Sequence, residues 1–450
     1  MIKRDGNIII AIFVLGLMLL TASTPAASEK KDEYSALFEQ EQKFDRISAL
    51  SANPSLDDYL IWGSANNPGL RAAFYRWKAS FEKVGQIGLP DPTLSYGYYL
   101  ENVETRVGPQ EHRVSLKQSL PWPGTIGNGT AAALANAQAV RQNYQSGQYR
   151  LYYQIKKAYY EFYLLGREIS ILTDNMHLLS QWEAVARSRY KAALAPQTDL
   201  IKAQVELARL ENRLNSLEDR IRPAKEYLRA IISLPDSIDL PIPDSLTVEL
   251  PALDEDHIMT AMRQTNPDLK SIQFLAERAR ALYSQSKKTN LPQFSVGVDY
   301  ITTGEAINRT LEDSGKDPWI INLGINIPIW FGRNKARTGE AAARLKEAEY
   351  RFQDAGARLT AVMEERLYEL RDARRTVELY RDGLIAKSEQ SLSIAYKAYQ
   401  AGSLEFLSVL DAQRQLLEFN LELERAGVQY AVIIAEIEML IGTDIKEVSS

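Results

Sequence analysis

The 450 residues carry 53 basic and 58 acidic side chains, a formal net charge of −5 with no basic face, so nucleic acid is not an expected partner. There is no cysteine, which excludes disulfides, thiolate metal sites, a cysteine nucleophile and a lipid-modified N-terminal cysteine. His112, His177 and His257 are scattered and no glycine loop could cradle a phosphate, so the chain does not read as an enzyme and no cofactor or metal is expected.

Residues 1–26 read as an export signal: Lys3 and Arg4, an apolar run from Ile8 to Leu20, then small residues with cleavage after Ala26. Residues 27–54 are a polar lead-in. Ser55 with Asp58 resembles a capping box opening a helix to Ala65, and Asn66-Asn67-Pro68 interrupts it. A further helix is predicted from Gly69 to Ile87, with Leu70, Phe74, Trp77 and Phe81 on one side.

The hydrophobic period then changes to two. Leu94, Tyr96, Tyr98 and Leu100 alternate with Ser95, Gly97 and Tyr99; Val114, Leu116 and Leu120 alternate with Ser115, Lys117 and Ser119, Gln118 being an exception on the apolar side. Each run predicts a strand of about nine residues with one apolar and one polar face.

After SLPWPG (Ser119 to Gly124), the stretch from Ala131 to Ala193 contains no proline and only Gly147 and Gly166. Ile155, Phe162, Ile169 and Met176 recur every seventh residue, as do Ala158, Leu165, Leu172 and Leu179, making an a/d seam. Such a helix is on the order of 95 Å long, more than a compact domain needs. Beyond Pro196 a return helix carries Leu200, Leu207, Leu214, Ile221 and Leu228 beside Ala203, Leu210, Leu217, Ala224 and Ile231, with a kink expected at Pro223.

The same order then recurs. The first repeat is 55–233, a proline-rich linker 234–253, the second repeat 254–442 and a tail 443–450. Asn266-Pro267-Asp268-Leu269 answers Asn67-Pro68-Gly69-Leu70, and Leu291-Pro292 answers Leu89-Pro90. Phe294, Val296, Val298 and Tyr300 form one strand face, and Ile321, Leu323, Ile325 and Ile327 another. PIWFG (Pro328 to Gly332) leads into a helix-favouring run of nearly seventy residues to Gly402, and a final helix aligns Val409, Leu416, Leu423, Tyr430 and Ile437 beside Ala412, Phe419, Ala426, Ile433 and Leu440.

No segment is long and apolar enough for a spanning helix, so membrane contact falls to the strands. Trp122, Trp319, Trp330 and Phe331 stand at strand ends, where a lipid barrel places its interfacial aromatics. Four strands cannot close a barrel, since the smallest have about eight, and open edges in lipid leave backbone groups unpaired. Three copies of the chain would supply enough strands. A periplasmic coiled-coil adaptor or tether is the alternative, which explains the heptads and leaves the strands unexplained.

The duplicated NPxL segments, LPDPTLSYG, SLPWPG, the strand pairs and YQAGSLEFLSVLDAQ (Tyr399 to Gln413) resemble the TolC family of outer-membrane efflux proteins over nearly the whole mature chain. The resemblance implies an α+β membrane protein, a homotrimer whose twelve-strand β-barrel in the outer membrane continues into a long periplasmic α-helical barrel. Its implied partners are outer-membrane lipid, a periplasmic adaptor (membrane fusion protein) and an inner-membrane efflux pump, the RND type among the candidates. SLPWPG is similar to the corner in heavy-metal efflux members, although a rigid amphipathic corner suits any substrate. The hairpin turns near Pro196 and Gly402 would be periplasmic tips that close the entrance. Carried over by motif, Thr198 and Asp199 match the first turn and Tyr399 and Asp411 the second; Leu404 stands where a basic partner for Asp199 could be, and Ser408 where a second acid could be.

Overall fold

Ser55 opens the first ordered helix as expected: its hydroxyl accepts from the Asp58 amide while the Asp58 carboxylate accepts from the Ser55 amide, satisfying two donors that the first turn leaves free. The computed structural model describes residues 54–244, 246, 250, 253–308 and 310–445. The predicted signal, nearly all of the lead-in, parts of the linker and the end of the tail lie outside the described residues. Among those described, α1 (Leu56–Asn66), α2 (Pro68–Glu82) and a short 3-10 turn (Val84–Gln86) precede β1 (Thr93–Thr105) and β2 (Gly108–Leu120). Then follow α3 (Thr125–Lys191), α4 (Gln197–Ile232), α5 (Glu255–Thr265), α6 (Pro267–Thr289), β3 (Gln293–Thr303) and β4 (Trp319–Asn326). The chain ends with α7 (Phe331–Leu379), a π-helical turn (Tyr380–Leu384), α8 (Ile385–Gln400) and α9 (Phe406–Ile441).

The chain forms two compact units that cut across the two sequence halves. One comprises Tyr75–Arg141 and Ser271–Asp354 and holds all four strands; the other is helical and comprises 54–74, Gln142–Lys270 and 355–445.

In the strand-bearing unit the sheet is antiparallel throughout, in the order β1-β2-β3-β4, and among the described residues neither β1 nor β4 is paired on its outer side. Its register aligns Leu94 with Leu116, Val298 and Ile321, and Tyr96 with Val114, Tyr300 and Trp319. One face is therefore apolar and largely open, Ile321 being 68% and Leu323 82% exposed. The opposite face aligns Ser95, Ser115 and Asp299, and Thr93, Lys117, Gly297 and Asn322. β1 and β2 are longer than the nine residues expected. Gln118, the polar exception, is buried because its amide donates to the carbonyls of Pro90 (2.7 Å) and Ser119 (2.9 Å). Burying it unpaired would cost several kcal/mol, about 2 or more.

In the helical unit, Leu165, Leu172 and Leu179 of α3 pack with Ala203, Leu210 and Leu217 of α4 and with Leu392, Val409, Leu417 and Leu421 of α8 and α9, as the seam predicts for the first hairpin. A second cluster joins Ile258 and Met262 of α5, Met363 and Leu367 of α7, and Ile433 and Ile437 of α9. α4 runs on through Pro223. The equivalence of the two NPxL segments extends to hydrogen bonds. The Asn67 amide donates to Ile231 O and its oxygen accepts from the Leu70 amide; Asn266 does the same with Leu440 O and the Leu269 amide. Each asparagine so ties the start of one helix to the end of a return helix, supplying a donor to carbonyls that the helix end leaves free.

Three expectations change. The second helix stops at Glu82 rather than Ile87, its last residues tightening into a 3-10 turn. The helical run to Gly402 is broken by a π-helical turn at Tyr380–Leu384, where one extra residue enters the ladder. On α9, Leu410, Leu417 and Leu421 are buried where a strict heptad selects Leu416, Phe419 and Leu423, because this helix packs against several others at once and its covered stripe follows about 3.6 residues per turn.

Candidate functional site

The two hairpin turns lie in the helical unit and touch. The first turns through Ala193, which takes a left-handed backbone (φ 54°), and restarts at Pro196, whose extended backbone precedes α4. The second turns through Gly402 (φ 78°), a conformation glycine adopts without strain, and restarts at Glu405.

Arg189, in the last turn of α3, joins them. Its Nη1 donates to the carbonyl of Gln400, the last residue of α8, at 2.7 Å, and its guanidinium lies 5.0 Å from the Tyr399 ring centroid. A cation at a helix C-terminus meets the negative end of the dipole and an otherwise unpaired carbonyl, so both contacts favour the arginine there. The Tyr399 ring in turn packs on Phe406 at 5.1 Å, both being buried.

Asp199, on the first turn of α4, is only 7% exposed, and its carboxylate lies beside the Tyr399 hydroxyl. Burial raises its pKa above the usual aspartate value; Lys202 opposes that, Glu405 adds to it, and Arg189 and Tyr399 also oppose it. Burial raises Tyr399 as well, with the Asp199 charge adding to it. The motif-based placement thus brings Asp199 and Tyr399 together. The cations that oppose the effect of burial on Asp199 are Lys202, three positions on, and Arg189, whose contacts with Tyr399 and Gln400 pair the two hairpins. Sequence spacing gives no sign of this pairing, because it depends on how the two hairpins meet.

The remaining candidates are more open. Thr198 is exposed; Leu404 and Ser408 line a shallow groove with Lys387, Ser391, Ile394 and Ala412. Asp411 is exposed and pairs with Arg414 at 3.3 Å within its own helix, while Arg414 also reaches the buried Glu206 of α4. Further along, Arg167 pairs with Glu424 and Arg425 with Glu168, a crossed pair of ion pairs between α3 and α9. Among the described residues no group of three histidine, aspartate or glutamate side chains could hold a metal ion.

The aromatics at the strand ends lie in the other unit. Trp122 stacks on Phe294 at 6.1 Å and Trp319 lies tilted against Tyr300 at 4.8 Å, whereas Trp330 and Phe331 are 64% and 79% exposed. The SLPWPG corner therefore serves packing at the strand-to-helix junction, Gly124 supplying its positive φ of 82°.

Residues 259–443 match the family model described as outer membrane efflux protein. The outer membrane efflux protein BepC of Brucella suis is 23% identical over 70% of this chain and 68% of its own. The outer membrane protein TolC of Vibrio cholerae is 20% identical over 84% and 88%. The crystal structure of the outer membrane protein VceC from Vibrio cholerae superposes with a TM-score of 0.71 at 18% identity, covering 87% of this chain and 96% of that one. Residues 259–443 thus match the outer membrane efflux proteins, and the four-stranded sheet with long helical hairpins is the fold of the structures the chain resembles; these similarities support an efflux duct and not an adaptor.

Proposed function

We propose that three copies of this chain close one duct, their four-stranded sheets joining into a twelve-strand barrel in the outer membrane and their hairpins into a helical barrel in the periplasm. The observation that carries this is the sheet itself: an apolar face left open and both edges unpaired. Lipid tolerates the first and forbids the second, and closure with further copies satisfies both. Export by the N-terminal signal brings the chain there, and the two halves descend from one duplicated unit. Solutes reach the duct from an inner-membrane pump through a periplasmic adaptor. Nothing in the chain calls for chemistry of its own.

The hairpin turns are the entrance. Asp199, Tyr399 and Arg189 hold the two turns of one chain together, and Thr198, Leu404, Ser408 and Asp411 stand on the more open surface around them. Opening separates the second hairpin from the first at these residues.

Single-channel recording of the detergent-purified protein in a planar bilayer, with its mass measured in detergent, tests the reading. A trimer of small conductance that rises in Asp411→Ala supports duct and entrance together. A monomer that never conducts removes both.

A further inference from the structure

The polar face of the sheet carries an uneven set of charges. In its paired part, successive rows align Thr93, Lys117, Gly297 and Asn322, then Ser95, Ser115, Asp299 and Ile320, then Gly97, Arg113 and Ile301. Asp299 therefore sits between two cations of the neighbouring strand, Lys117 on one diagonal and Arg113 on the other. Diagonal neighbours in a sheet are about 7 Å apart, within reach of a long side chain. Arg113 takes the carboxylate, which is nearly buried beneath it. The Lys117 side chain has no ion-pair or hydrogen-bond partner among the described residues, and the residue is exposed. Opposite it stands Gly297, where an added Cβ would come within 3.6 Å of the Lys117 Cβ, so the absence of a side chain leaves the lysine room over the strand. The apolar face belongs to lipid, which turns this row toward the water of the lumen.

We propose that Lys117 is a charge-selecting residue of the duct, one uncompensated cation per sheet that favours anionic over cationic solutes at its own level of the barrel. The inference rests on the reading of three chains closing one barrel. Within these three rows one carboxylate stands against two cations, a local excess of one positive charge, while Glu101, Glu104 and Glu111 lie farther along β1 and β2, beyond Arg113; three sheets would set three lysines at one level. A ring of fixed cations in a pore with low-dielectric walls concentrates anions and repels cations. Its reach is on the order of 8 Å at physiological salt and grows on dilution, so the effect is largest at low ionic strength.

The test is the reversal potential of the assembled protein in a planar bilayer under a potassium chloride gradient at low salt. Lys117→Gln is expected to lower the chloride-to-potassium permeability ratio by about twofold or more, and Lys117→Glu further. Arg113→Gln frees Asp299 for Lys117 and removes the same net charge, so it is expected to shift the ratio in the same direction as Lys117→Gln. These two neutral variants carry the test if Lys117→Glu does not assemble. Trimers of both neutral variants that conduct with the wild-type ratio overturn the role of Lys117 and leave the duct standing. A wild-type protein that neither conducts nor forms trimers overturns the duct itself.

Discussion

Arg189 is the residue on which the two turns meet. Its carbonyl contact and its ring contact join α3 to the end of α8, and at a partly exposed place the two together contribute on the order of 1 kcal/mol. That is a small part of the stability of the helical unit and a large part of what holds the turns together. Arg189→Ala is expected to leave the melting temperature within a few degrees of wild type while raising single-channel conductance; an unchanged conductance would show that the turns are held elsewhere. Arg189→Lys keeps the charge but loses the planar fork, and is expected to fall between the two. Asp199 makes a prediction with pH. Because its pKa is raised in the fold, the native state binds its proton more readily than the unfolded chain. Its contribution is therefore fully favourable below the ordinary aspartate value and is lost as pH rises through the raised one. At neutral pH the buried charge is a cost, so Asp199→Asn is expected to melt no lower than wild type there and to lose any advantage on acidification. Thermal melts of both proteins across that range check the sign.

At the scale of the element, the π-helical turn between α7 and α8 is the feature with consequences. Gly383 lies within it, and a Cβ there would meet nothing within 4 Å, so no close contact requires glycine at this place. Gly356, in the regular part of α7, is equally open. Replacing either with alanine should stabilise its helix by about 0.5–1 kcal/mol. If the second hairpin flexes at the π turn, Gly383→Ala alone is expected to lower the open probability of the channel, with Gly356→Ala as the matched control. Equal open probability in both would place the flexing elsewhere. The elements whose signal is local were legible in the sequence. The Ser55 cap, the strand alternation and the α3 seam each follow from a period or a spacing, and each is in the structure. The π turn was not, since an extra residue in a helical ladder leaves the local hydrophobic pattern nearly intact. Arg189 was missed for a different reason: its partners are some two hundred positions away, joined only when the hairpins pack. Gln118 breaks the alternation visibly, but its explanation, the Pro90 carbonyl, is tertiary.

For the whole molecule, the open sheet governs what the chain can become. An unassembled chain keeps Leu94, Tyr96, Ile321 and Leu323 open on one face and two unpaired strand edges, all of them surfaces that aggregate in water. The two free edges have a further consequence, which is genetic. If each sheet must pair through β1 on one side and β4 on the other, a copy with a blocked β4 still offers a sound β1 and can join a ring that it cannot complete. Expressed in equal amount beside the normal chain, it would leave only roughly one trimer in eight free of the defect. Such an allele should be dominant, whereas an allele that prevents the chain from folding should be recessive.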